Sequence, residues 1–390
     1  MKIALVILNA EPTRGGAERY TYDLAKALFD RGMDVHLLAT RFARDVEPAK
    51  QVRMEGAAGS RTGRYRAFIG SLDVHLSQTK YDVVHAMLPV PNCDLYHPHA
   101  GIEANNLEMG YLRHQGMIRQ AVSRLTSRLN RKRRLYAGIE RELLEQRHAP
   151  VLCLSNAMQQ IAEHHYRLNE GQSHVLINGV DLTRYDPAVR ADARDLVRGS
   201  YGIGSDDVVA LLMANNYRLK GLRQAMATLQ RLVEGGHRRA KLLVVGKESV
   251  EPYIALGKRL GIADHLIMAG PKTDAQSLYA ACDLFVLPTA YDSCSLVVLE
   301  SLAMGKPVIT TRRNGAAEAM TDGVEGFVIE DQSDMEGLHE AWEALLNDDL
   351  RVKMAAAAIE LRSHISWTAH VDRLVEVYAR IRASATAEPN

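Results

Sequence analysis

Residues 284–310 read LFVLPTAYDSCSLVVLESLAMGKPVIT, and this stretch decides the fold. It begins with the apolar run Leu284–Leu287, passes through a turn into the apolar segment Leu296–Leu302, and ends on the apolar run Val308–Thr310. Continuous apolar runs, rather than alternating ones, are typical of strands that are buried on both faces. The stretch therefore predicts a strand, a helix and a second strand of a parallel sheet.

The same alternation of apolar runs and helical patterns extends along most of the chain. The predicted strands form two series, Ile3–Leu8, Val35–Ala39, Val83–Ala86, Val151–Leu154 and Val175–Ile177, followed by Val208–Met213, Leu242–Val245, Leu266–Ala269, Leu284–Leu287 and Val308–Thr310. Between them lie amphipathic segments such as Tyr20, Leu24 and Leu28, which have helical spacing. This βα repeat, written twice, predicts an α/β chain with two Rossmann-like parallel-sheet domains, joined near the turn-rich stretch 178–187.

The length and composition agree with two globular domains. The chain has 390 residues, 47% of them hydrophobic, and domains usually hold about 100–200 residues. No run approaches the roughly 18–20 apolar residues of a membrane span, and charged residues follow Ile3–Leu8 too soon for a signal peptide. The spacing of the four cysteines fits no metal site and predicts that they are reduced thiols in the cytosol. They are Cys93, Cys153, Cys282 and Cys294.

The loop after the first strand of the second series carries two cations. It reads NNYRLKG over residues 215–221, which places Arg218 and Lys220 after the strand Val208–Met213. Ligands of open α/β sheets bind at the C-terminal ends of parallel strands. Two cations there suit a diphosphate, whose negative charge develops when it departs as a leaving group. The alternative interpretation is a solvated basic loop.

The stretch 284–310 carries a second group of candidate residues. Ser293, Cys294 and Ser295 are small residues at the start of the predicted helix, where backbone N–H groups can face a phosphate. Glu300 lies about one and a half turns further on, in a segment so apolar that an unpartnered carboxylate is unfavourable. We expect Glu300 to accept hydrogen bonds from ribose hydroxyls. Asp292 precedes the helix and need not share a face with Glu300.

The first predicted strand is followed by a turn with two adjacent glycines, Gly15 and Gly16. Without side chains there, the backbone can approach an anion or a sugar at the N-terminus of the following helix. The spacing is not GxGxxG, and no acidic residue closes the second strand, so the turn does not favour dinucleotide binding. The alternative is a tight turn that needs a positive φ.

Taken in this order, the motifs resemble those of the retaining family-4 glycosyltransferases, which have the GT-B fold. The D-x7-E pattern from Asp292 to Glu300 resembles the family's E-x7-E signature. The other landmarks in family order are Gly15–Gly16, Asn178–Asp181, Lys220–Gly221, Gly246 and the tail from Ser366–Trp367 to Val377–Tyr378. The resemblance implies two Rossmann-like domains facing a central cleft, over residues 1–185, completed by a C-terminal helix at 368–385, and over residues 186–367.

The resemblance also implies what the candidate residues bind. The second domain would hold most of a nucleotide diphosphate sugar, and the first domain would hold the acceptor. Lys220 and Arg218 would bind the diphosphate, Asp292 the transferred sugar and Glu300 the ribose. The remaining donor contacts would come from Gly15, Gly16, Ser293, Cys294, Ser295, Leu296 and Val297.

A histidine completes the implied catalytic set. His99 follows a strand-like segment in the sequence YHPHAG, where the family often places a sugar-contacting histidine. His97 is its rival, and a packing or turn role is the alternative for either. Because no D-x-D motif occurs, we expect neither a metal ion nor a cofactor, which agrees with a cationic clamp on the diphosphate.

Two departures from the family pattern bear on these roles. Asp292 stands where the family more often has Glu, so its carboxylate reaches less far. The family arginine is commonly further from the lysine than Arg218 is from Lys220, so Asn215 or Asn216 is an alternative occupant of that position.

A basic segment interrupts a nearly neutral chain. The chain carries 48 Lys and Arg against 47 Asp and Glu, for a net charge of +1, whereas residues 113–147 hold ten cations and three acids. The segment therefore carries 10 − 3 = +7, and the rest of the chain 1 − 7 = −6. Apolar residues at helical spacing predict a basic amphipathic helix that docks on an anionic membrane surface. A core-facing helix with a solvated arginine face is the alternative, and poor aromatic interleaving disfavours nucleic acid.

Within the family, the segment 135–142 and the stretch 291–300 are most similar to the lipopolysaccharide-core glucosyltransferases. The resemblance implies a cytoplasmic, peripheral membrane enzyme that moves a hexose, from a UDP-sugar in preference to other donors, to a lipid-linked or lipopolysaccharide-core acceptor. The alternatives are a GT-B transferase with a soluble acceptor, a sugar-nucleotide epimerase, and a nucleotide-sugar-binding scaffold without activity.

Overall fold

The computed structural model describes residues 1–43, 49–56, 59–109, 130–190 and 192–387. The chain divides into two compact units, which we call the first and second units. The first unit comprises Met1–Asn178 together with Trp367–Asn390, and the second comprises Gly179–Ser366. The boundary predicted from the sequence, at residue 185, lies seven residues after this division.

The first unit is built on a parallel sheet of seven strands. In order across the sheet, the strands are Lys50–Arg53, Asp34–Ala39, Lys2–Val6, Val83–Ala86, Leu95–Tyr96, Val151–Cys153 and Ser173–Val175. Short strands at Asn9–Ala10 and Arg41–Phe42 pair beside it. The charged edge strand Lys50–Arg53 was missed by the sequence analysis, because a half-exposed edge needs no apolar run.

Helices cover the sheet of the first unit. They are Gly16–Asp30, Arg61–Gln78, Glu103–Met109, Arg131–Arg141, Asn156–His165 and Trp367–Ala387, with a π-helical turn at Glu142–Gln146. The last helix packs on this sheet, because its Leu374 and Tyr378 are fully buried in one apolar cluster with Ile3 and Leu24. The C-terminal segment therefore contributes to the core of the first unit.

The second unit is built on a parallel sheet of six strands. In order across the sheet, the strands are Leu266–Gly270, Ala240–Val245, Val208–Met213, Leu284–Leu287, Val308–Thr311 and Gly326–Ile329. Its helices are Ala193–Ser200, Leu222–Glu234, Glu251–Arg259, Ala275–Ala281, Leu296–Ala303, Met335–Ala344 and Asp348–Leu361, with 3-10 turns at Pro187–Arg190 and Gly315–Ala319. The stretch 284–310 thus forms the predicted strand, helix and strand. The predicted α/β fold with two parallel-sheet domains is confirmed.

Within the described ranges, none of the helices has both the length and the apolar character that a membrane crossing requires.

Shortening a buried side chain of the last helix should destabilise the first unit. We expect Leu374→Ala to cost about 2–5 kcal/mol, because it leaves a cavity in the cluster. Val74→Ala, at a side chain of the same unit that is 58% exposed, should change the free energy of unfolding by less than about 0.5 kcal/mol. Urea unfolding, monitored by amide hydrogen exchange in the first unit, measures the free energy of unfolding of both variants. Equal losses of stability in the two variants would contradict the packing of this helix.

Candidate functional site

Gly221 ends the loop that leaves the central strand of the second sheet. Its φ of 78° is a conformation that other residues rarely adopt, and a Cβ atom there would overlap the carbonyl oxygen of Pro288. Pro288 directly follows the neighbouring strand. Gln332 fastens the contact, because its Nε2 donates to the carbonyls of Arg218 and Pro288 at 3.1 and 3.2 Å. The ends of two adjacent strands are therefore held together here.

This approach brings Lys220 onto Asp292. The Lys220 ammonium forms an ion pair with the Asp292 carboxylate and lies 3.5 Å from the carbonyl oxygen of Tyr291. The backbone of Asp292 is held by two backbone hydrogen bonds. Its N–H donates to the carbonyl oxygen of Arg313 at 3.0 Å, and its carbonyl oxygen accepts from the N–H of Gly315 at 2.9 Å. The side chains of the pair are only 17% and 21% exposed. The carboxylate therefore holds the cation in one place at the C-terminal edge of the sheet.

The helix that begins at Leu296 has part of its first turn already bonded. The N–H of Ser295 donates to Oδ1 of the fully buried Asn314 at 3.2 Å, and the amide of Asn314 donates to Thr310 Oγ1 at 3.0 Å. The N–H groups of Leu296 and Val297 belong to the first turn, which has no intrahelical acceptors. Three backbone N–H groups were predicted to face a phosphate here. That of Ser295 donates to Asn314, whereas those of Leu296 and Val297 have no acceptor within the helix.

The small residues before this helix have buried side chains. Ser293, Cys294 and Ser295 are 8%, 5% and 5% exposed. The hydroxyl of Tyr291 lies 3.3 Å from Ser293 Oγ. These side chains pack within the turn, so any contact that they make with a ligand would go through their backbone.

Glu300 is oriented by a buried tyrosine. The hydroxyl of Tyr279 lies 3.0 Å from Glu300 Oε2 and 3.0 Å from the carbonyl oxygen of Val297. Burial raises the pKa of Tyr279 well above its ordinary value, so this hydroxyl stays protonated and can donate. Glu300 is therefore held by a partner inside its otherwise apolar segment, and its carboxylate keeps further acceptor capacity.

Arg218 has an unsatisfied donor. Its Nη1 is buried and has no hydrogen-bond partner among the described residues. Asn216, a candidate for the same role, uses its Oδ1 to accept from the N–H of Leu219 at 2.9 Å, and Asn215 is exposed. Because a buried guanidinium nitrogen without a partner is unfavourable, this geometry favours Arg218 over the two asparagines as a ligand-binding residue.

In the first unit, the histidine sequence forms a buried ring cluster. His97 is fully buried, and its Nδ1 lies 3.1 Å from His85 Nε2. His99 is only partly buried; its ring lies 4.0 Å from the ring of Tyr20 and 4.3 Å from that of His97. The Nε2 atoms of His97 and His99 are both buried without a partner in the described part of the chain, so the partial exposure of the His99 side chain decides between them. Of the two rivals, His97 packs and His99 is the better placed for a ligand.

Burial keeps this cluster neutral. Desolvation lowers the pKa of His85 to about 3, of His99 to about 3 and of His370 to about 4, and it lowers the pKa of His97 as well. His370 lies with Nδ1 2.7 Å from a backbone carbonyl and Nε2 2.7 Å from the Tyr20 hydroxyl. The cluster therefore supplies neutral imidazoles at neutral pH.

The two adjacent glycines lie at the start of helix Gly16–Asp30. Gly15 has a φ of −174°, which is extended backbone open to any residue, so the alternative of a positive φ is wrong at Gly15. A Cβ atom at Gly15 would meet only the flexible end of Glu18. The position of the pair at a helix N-terminus agrees with the predicted backbone approach.

The basic segment 113–147 is described only from residue 130, and residues 113–129 lie outside the described part. Its four consecutive cations, residues 131–134, have different surroundings: two contact other residues of the first unit and two are exposed. Lys132 is half-buried beside the ring of Tyr136, at 4.7 Å, and the Arg133 guanidinium donates to the carbonyl of Asn106. Arg131 and Arg134 are exposed and line an outer groove with Arg66. We call Arg66, Arg131 and Arg134 the outer basic groove.

One acid of this segment is not on the surface. Glu140 is fully buried and accepts hydrogen bonds from the hydroxyls of Tyr96 and Tyr166, both at 2.6 Å, and from the N–H of Glu103 at 2.8 Å. Burial raises the pKa of Glu140, and these donors oppose the shift. Glu140 therefore anchors helix Arg131–Arg141 and leaves the exposed face more basic than the residue count indicates.

Sequence reasoning missed three residues that arrange this site. Tyr279 hydrogen-bonds to Glu300, and Asn314 accepts from the N–H of Ser295. Gln332 donates to the loop before Gly221. Asn314 could have been found, since an Asn-Gly pair is a turn signal and this one comes shortly after the strand Val308–Thr311. Tyr279 and Gln332 carry no local signal, because their partners lie far away in the sequence.

Two protein families match the chain. Residues 14–184 match "Glycosyltransferase Family 4", and residues 193–361 match "Glycosyl transferases group 1". The chain is 25% identical over 349 residues to the lipopolysaccharide glucosyltransferase WaaG of Escherichia coli strain K12, covering 88% of this chain and 90% of that protein.

Solved structures share the fold. The crystal structure of WaaG, a glycosyltransferase involved in lipopolysaccharide biosynthesis, superposes with a TM-score of 0.79 at 22% identity, covering 96% of this chain and 99% of the other. Anabaena Alr3699/HepE in complex with UDP-glucose superposes with a TM-score of 0.70 at 18% identity over the whole of both chains. Both likenesses support the two-domain fold.

The buried histidines predict that acid destabilises the first unit. Unfolded imidazole titrates near 6.5, whereas the folded pKa lies at about 3 to 4 for His85, His99 and His370. Between these values the unfolded state binds protons that the folded state does not. Stability is therefore complete above about pH 6.5, and roughly 2 kcal/mol is lost for each of these histidines by pH 5.

Urea denaturation across this pH range measures the effect. His370→Gln should make the loss of stability with falling pH shallower. Leu374→Ala is the control, since it weakens the same unit without removing an imidazole and should keep the slope of the parent chain. Equal slopes for all three chains would contradict the proposed neutrality of the cluster.

Proposed function

We propose that this chain, which belongs to the glycosyltransferases with a family 4 domain followed by a group 1 domain, moves a hexose with retention from UDP-hexose to a lipid-linked or lipopolysaccharide-core acceptor. The reaction would take place at the cytoplasmic face of the membrane. The name of the Escherichia coli relative supports a lipopolysaccharide acceptor. The Anabaena protein that holds UDP-glucose supports a uridine donor.

One observation carries the donor site: Lys220 is held by Asp292 at the C-terminal edge of the second sheet. Beside it, Arg218 has a buried Nη1 without a partner among the described residues, and Leu296 and Val297 offer first-turn N–H groups. A diphosphate supplies oxygens for all of these donors. Their charge would stabilise the diphosphate most when it departs, because its negative charge is then greatest.

The two carboxylates have separate roles in this proposal. Asp292 keeps Lys220 in place and faces the transferred sugar, and Glu300, oriented by Tyr279, accepts from the ribose hydroxyls. They do not act as the acid and nucleophile of a glycosidase. Retention follows when the acceptor attacks the face of the sugar from which the diphosphate leaves. His99 would contact the sugar as a neutral imidazole. No metal ion takes part, so transfer should persist in EDTA.

Removing the Lys220 ammonium should abolish leaving-group stabilisation. We expect Lys220→Ala to lower kcat/KM for UDP-glucose by about 10²–10³, which is the usual effect of deleting one donor to a developing oxyanion. The assay is transfer of radiolabelled glucose to a lipid extract. The control is Lys353→Ala, at an exposed lysine of the same unit, which should keep full activity.

Glu300→Gln should act on donor binding. The amide accepts hydrogen bonds without a charge, so the KM for UDP-glucose should rise about tenfold while kcat changes less. Thermal shift with UDP-glucose reports the donor affinity directly. A protein that is stabilised by UDP-glucose but neither transfers nor hydrolyses it would contradict the proposed transferase and indicate a binding protein.

The outer basic groove should attach the enzyme to anionic lipid. We expect Arg131→Gln with Arg134→Gln to weaken flotation with phosphatidylglycerol vesicles by at least about tenfold, because each basic side chain near such a surface contributes about 1 kcal/mol. Lys258→Gln with Arg259→Gln removes the same charge from an exposed helix of the second unit and serves as the control. Equal flotation of both double variants would remove the groove from the proposal.

A further inference from the structure

A large cavity lies in the first unit, and none of the residues assigned above to the diphosphate lines it. Its volume is about 1170 Å³. It lies beyond the C-terminal ends of the strands Lys2–Val6, Asp34–Ala39 and Lys50–Arg53, and at the start of helix Arg61–Gln78. This edge of a parallel sheet is where ligands of α/β folds bind. The cavity exceeds the space that a single small anion requires and is slightly larger than the roughly 300–1,000 Å³ of typical small-molecule sites.

Its lining is strongly basic. Fourteen of the described residues line the cavity; six of these are cations and only Glu55 is an acid. We call these six the basic pocket: Arg14, Arg41, Arg53, Arg61, Arg64 and Lys132. They come from separate elements of the first unit, so the fold gathers them rather than a single run of sequence.

Five of the six cations of the basic pocket have no ion-pair partner among the described residues, and Arg14 has two long contacts. Arg14 reaches Glu11 and Glu18 only at 3.9 and 3.8 Å. For the other five, the described ranges contain no carboxylate within 4.0 Å. Elsewhere in the chain, guanidinium groups pair closely, as Arg194 does with Asp283 at 2.7 Å. Collected like charges without counter-charges repel one another, and a bound anion would relieve that repulsion.

Lys132 adds an independent sign of an anion site. Its ammonium is half-buried, 4.7 Å from the ring centre of Tyr136. Desolvation lowers its pKa, and the positive charges of Arg61 and Arg14 lower it further, against an opposing effect of Glu103. A cation held partly out of water beside other cations gains more from a bound anion than a solvated lysine does.

Two arginines of the basic pocket share one helix. Arg61 and Arg64 are three residues apart on one helix, so they lie on the same face. That helix is capped by Ser60, whose hydroxyl accepts from the N–H of Gly63 at 3.1 Å. Arginine presents a planar fork of donors that matches a phosphate in two-point contact.

We propose that the basic pocket binds phosphate groups on the sugar acceptor, so that the acceptor is a phosphorylated glycan rather than a neutral one. That the bound sugar is the acceptor rests on the proposed transferase function. That the pocket binds a phosphorylated sugar does not depend on it. The same phosphate chemistry occurs in the headgroups of anionic lipids. The outer basic groove shares no lining residue with the cavity, so variants of each allow the two sources to be separated.

Isothermal titration of the full chain with D-glucose 1,6-bisphosphate and with D-glucose tests the proposal. The bisphosphate should bind at least about tenfold more tightly than glucose, because its charged groups pair with arginine. Arg61→Gln with Arg64→Gln should weaken bisphosphate binding by at least about tenfold. Arg131→Gln with Arg134→Gln, which removes the same charge from the outer basic groove, should leave it within about twofold.

Two further measurements separate the alternatives. Lys220→Ala should keep bisphosphate binding, which shows that the probe does not occupy the diphosphate site. On phosphatidylglycerol vesicles the pattern should reverse, with the Arg61 and Arg64 double variant floating like the parent chain. Loss of flotation in that variant, with unchanged bisphosphate binding, would assign the pocket to lipid headgroups and overturn the proposal. Equal binding of glucose and its bisphosphate would overturn it as well.

The same variants distinguish failure of the pocket from failure of the transferase. The Arg61 and Arg64 double variant should retain the thermal shift with UDP-glucose, which also demonstrates that it is folded. If the parent chain binds the bisphosphate but shows neither a UDP-glucose shift nor transfer, the basic pocket stands and the proposed function is wrong. If it transfers glucose but ignores the bisphosphate, only the phosphorylated acceptor is wrong.

Discussion

The close approach of Gly221 to the carbonyl of Pro288 governs the geometry of the donor site. Because no side chain separates the two backbones, the loop after one strand lies directly against the end of the next. Lys220 then reaches Asp292, whose backbone is bonded to the loop after a third strand. Three neighbouring strands therefore fix one cation. A side chain at position 221 would move that cation without altering its chemistry.

Much of the fold could be predicted because buried parallel strands are continuous apolar runs. The stretch 284–310 predicted a strand, a helix and a strand within about one residue of their bounds. The strand Gly326–Ile329 was not predicted, although it contains the apolar run Phe327–Ile329. Other strands that were not predicted are exposed or very short. Lys50–Arg53 is an edge strand with two charged residues, and Leu95–Tyr96 has only two residues. Neither contains the apolar run on which the prediction depends.

The candidate site was less predictable than the fold, for a different reason. The sequence indicated the charged groups Lys220, Asp292 and Glu300, since each departs from its local surroundings. It did not indicate Tyr279 or Gln332, because a buried tyrosine and a loop glutamine are ordinary residues until their partners are known. The basic pocket was hidden in the same way. Its cations are scattered from residue 14 to residue 132, so a count over any one segment does not gather them.

The two proposed anion sites differ in how their cations are paired, which bears on how each binds an anion. In the second unit, Lys220 is paired with a carboxylate before any ligand arrives, so a diphosphate must share the cation with Asp292. This arrangement favours precise placement over strong attraction. In the first unit, most cations of the basic pocket have no carboxylate partner in the described ranges, and the gain on binding an anion is correspondingly larger. A site that stabilises a departing group needs placement. A site that captures an acceptor carrying several phosphates needs attraction, and the near-neutral total charge of the chain conceals that division.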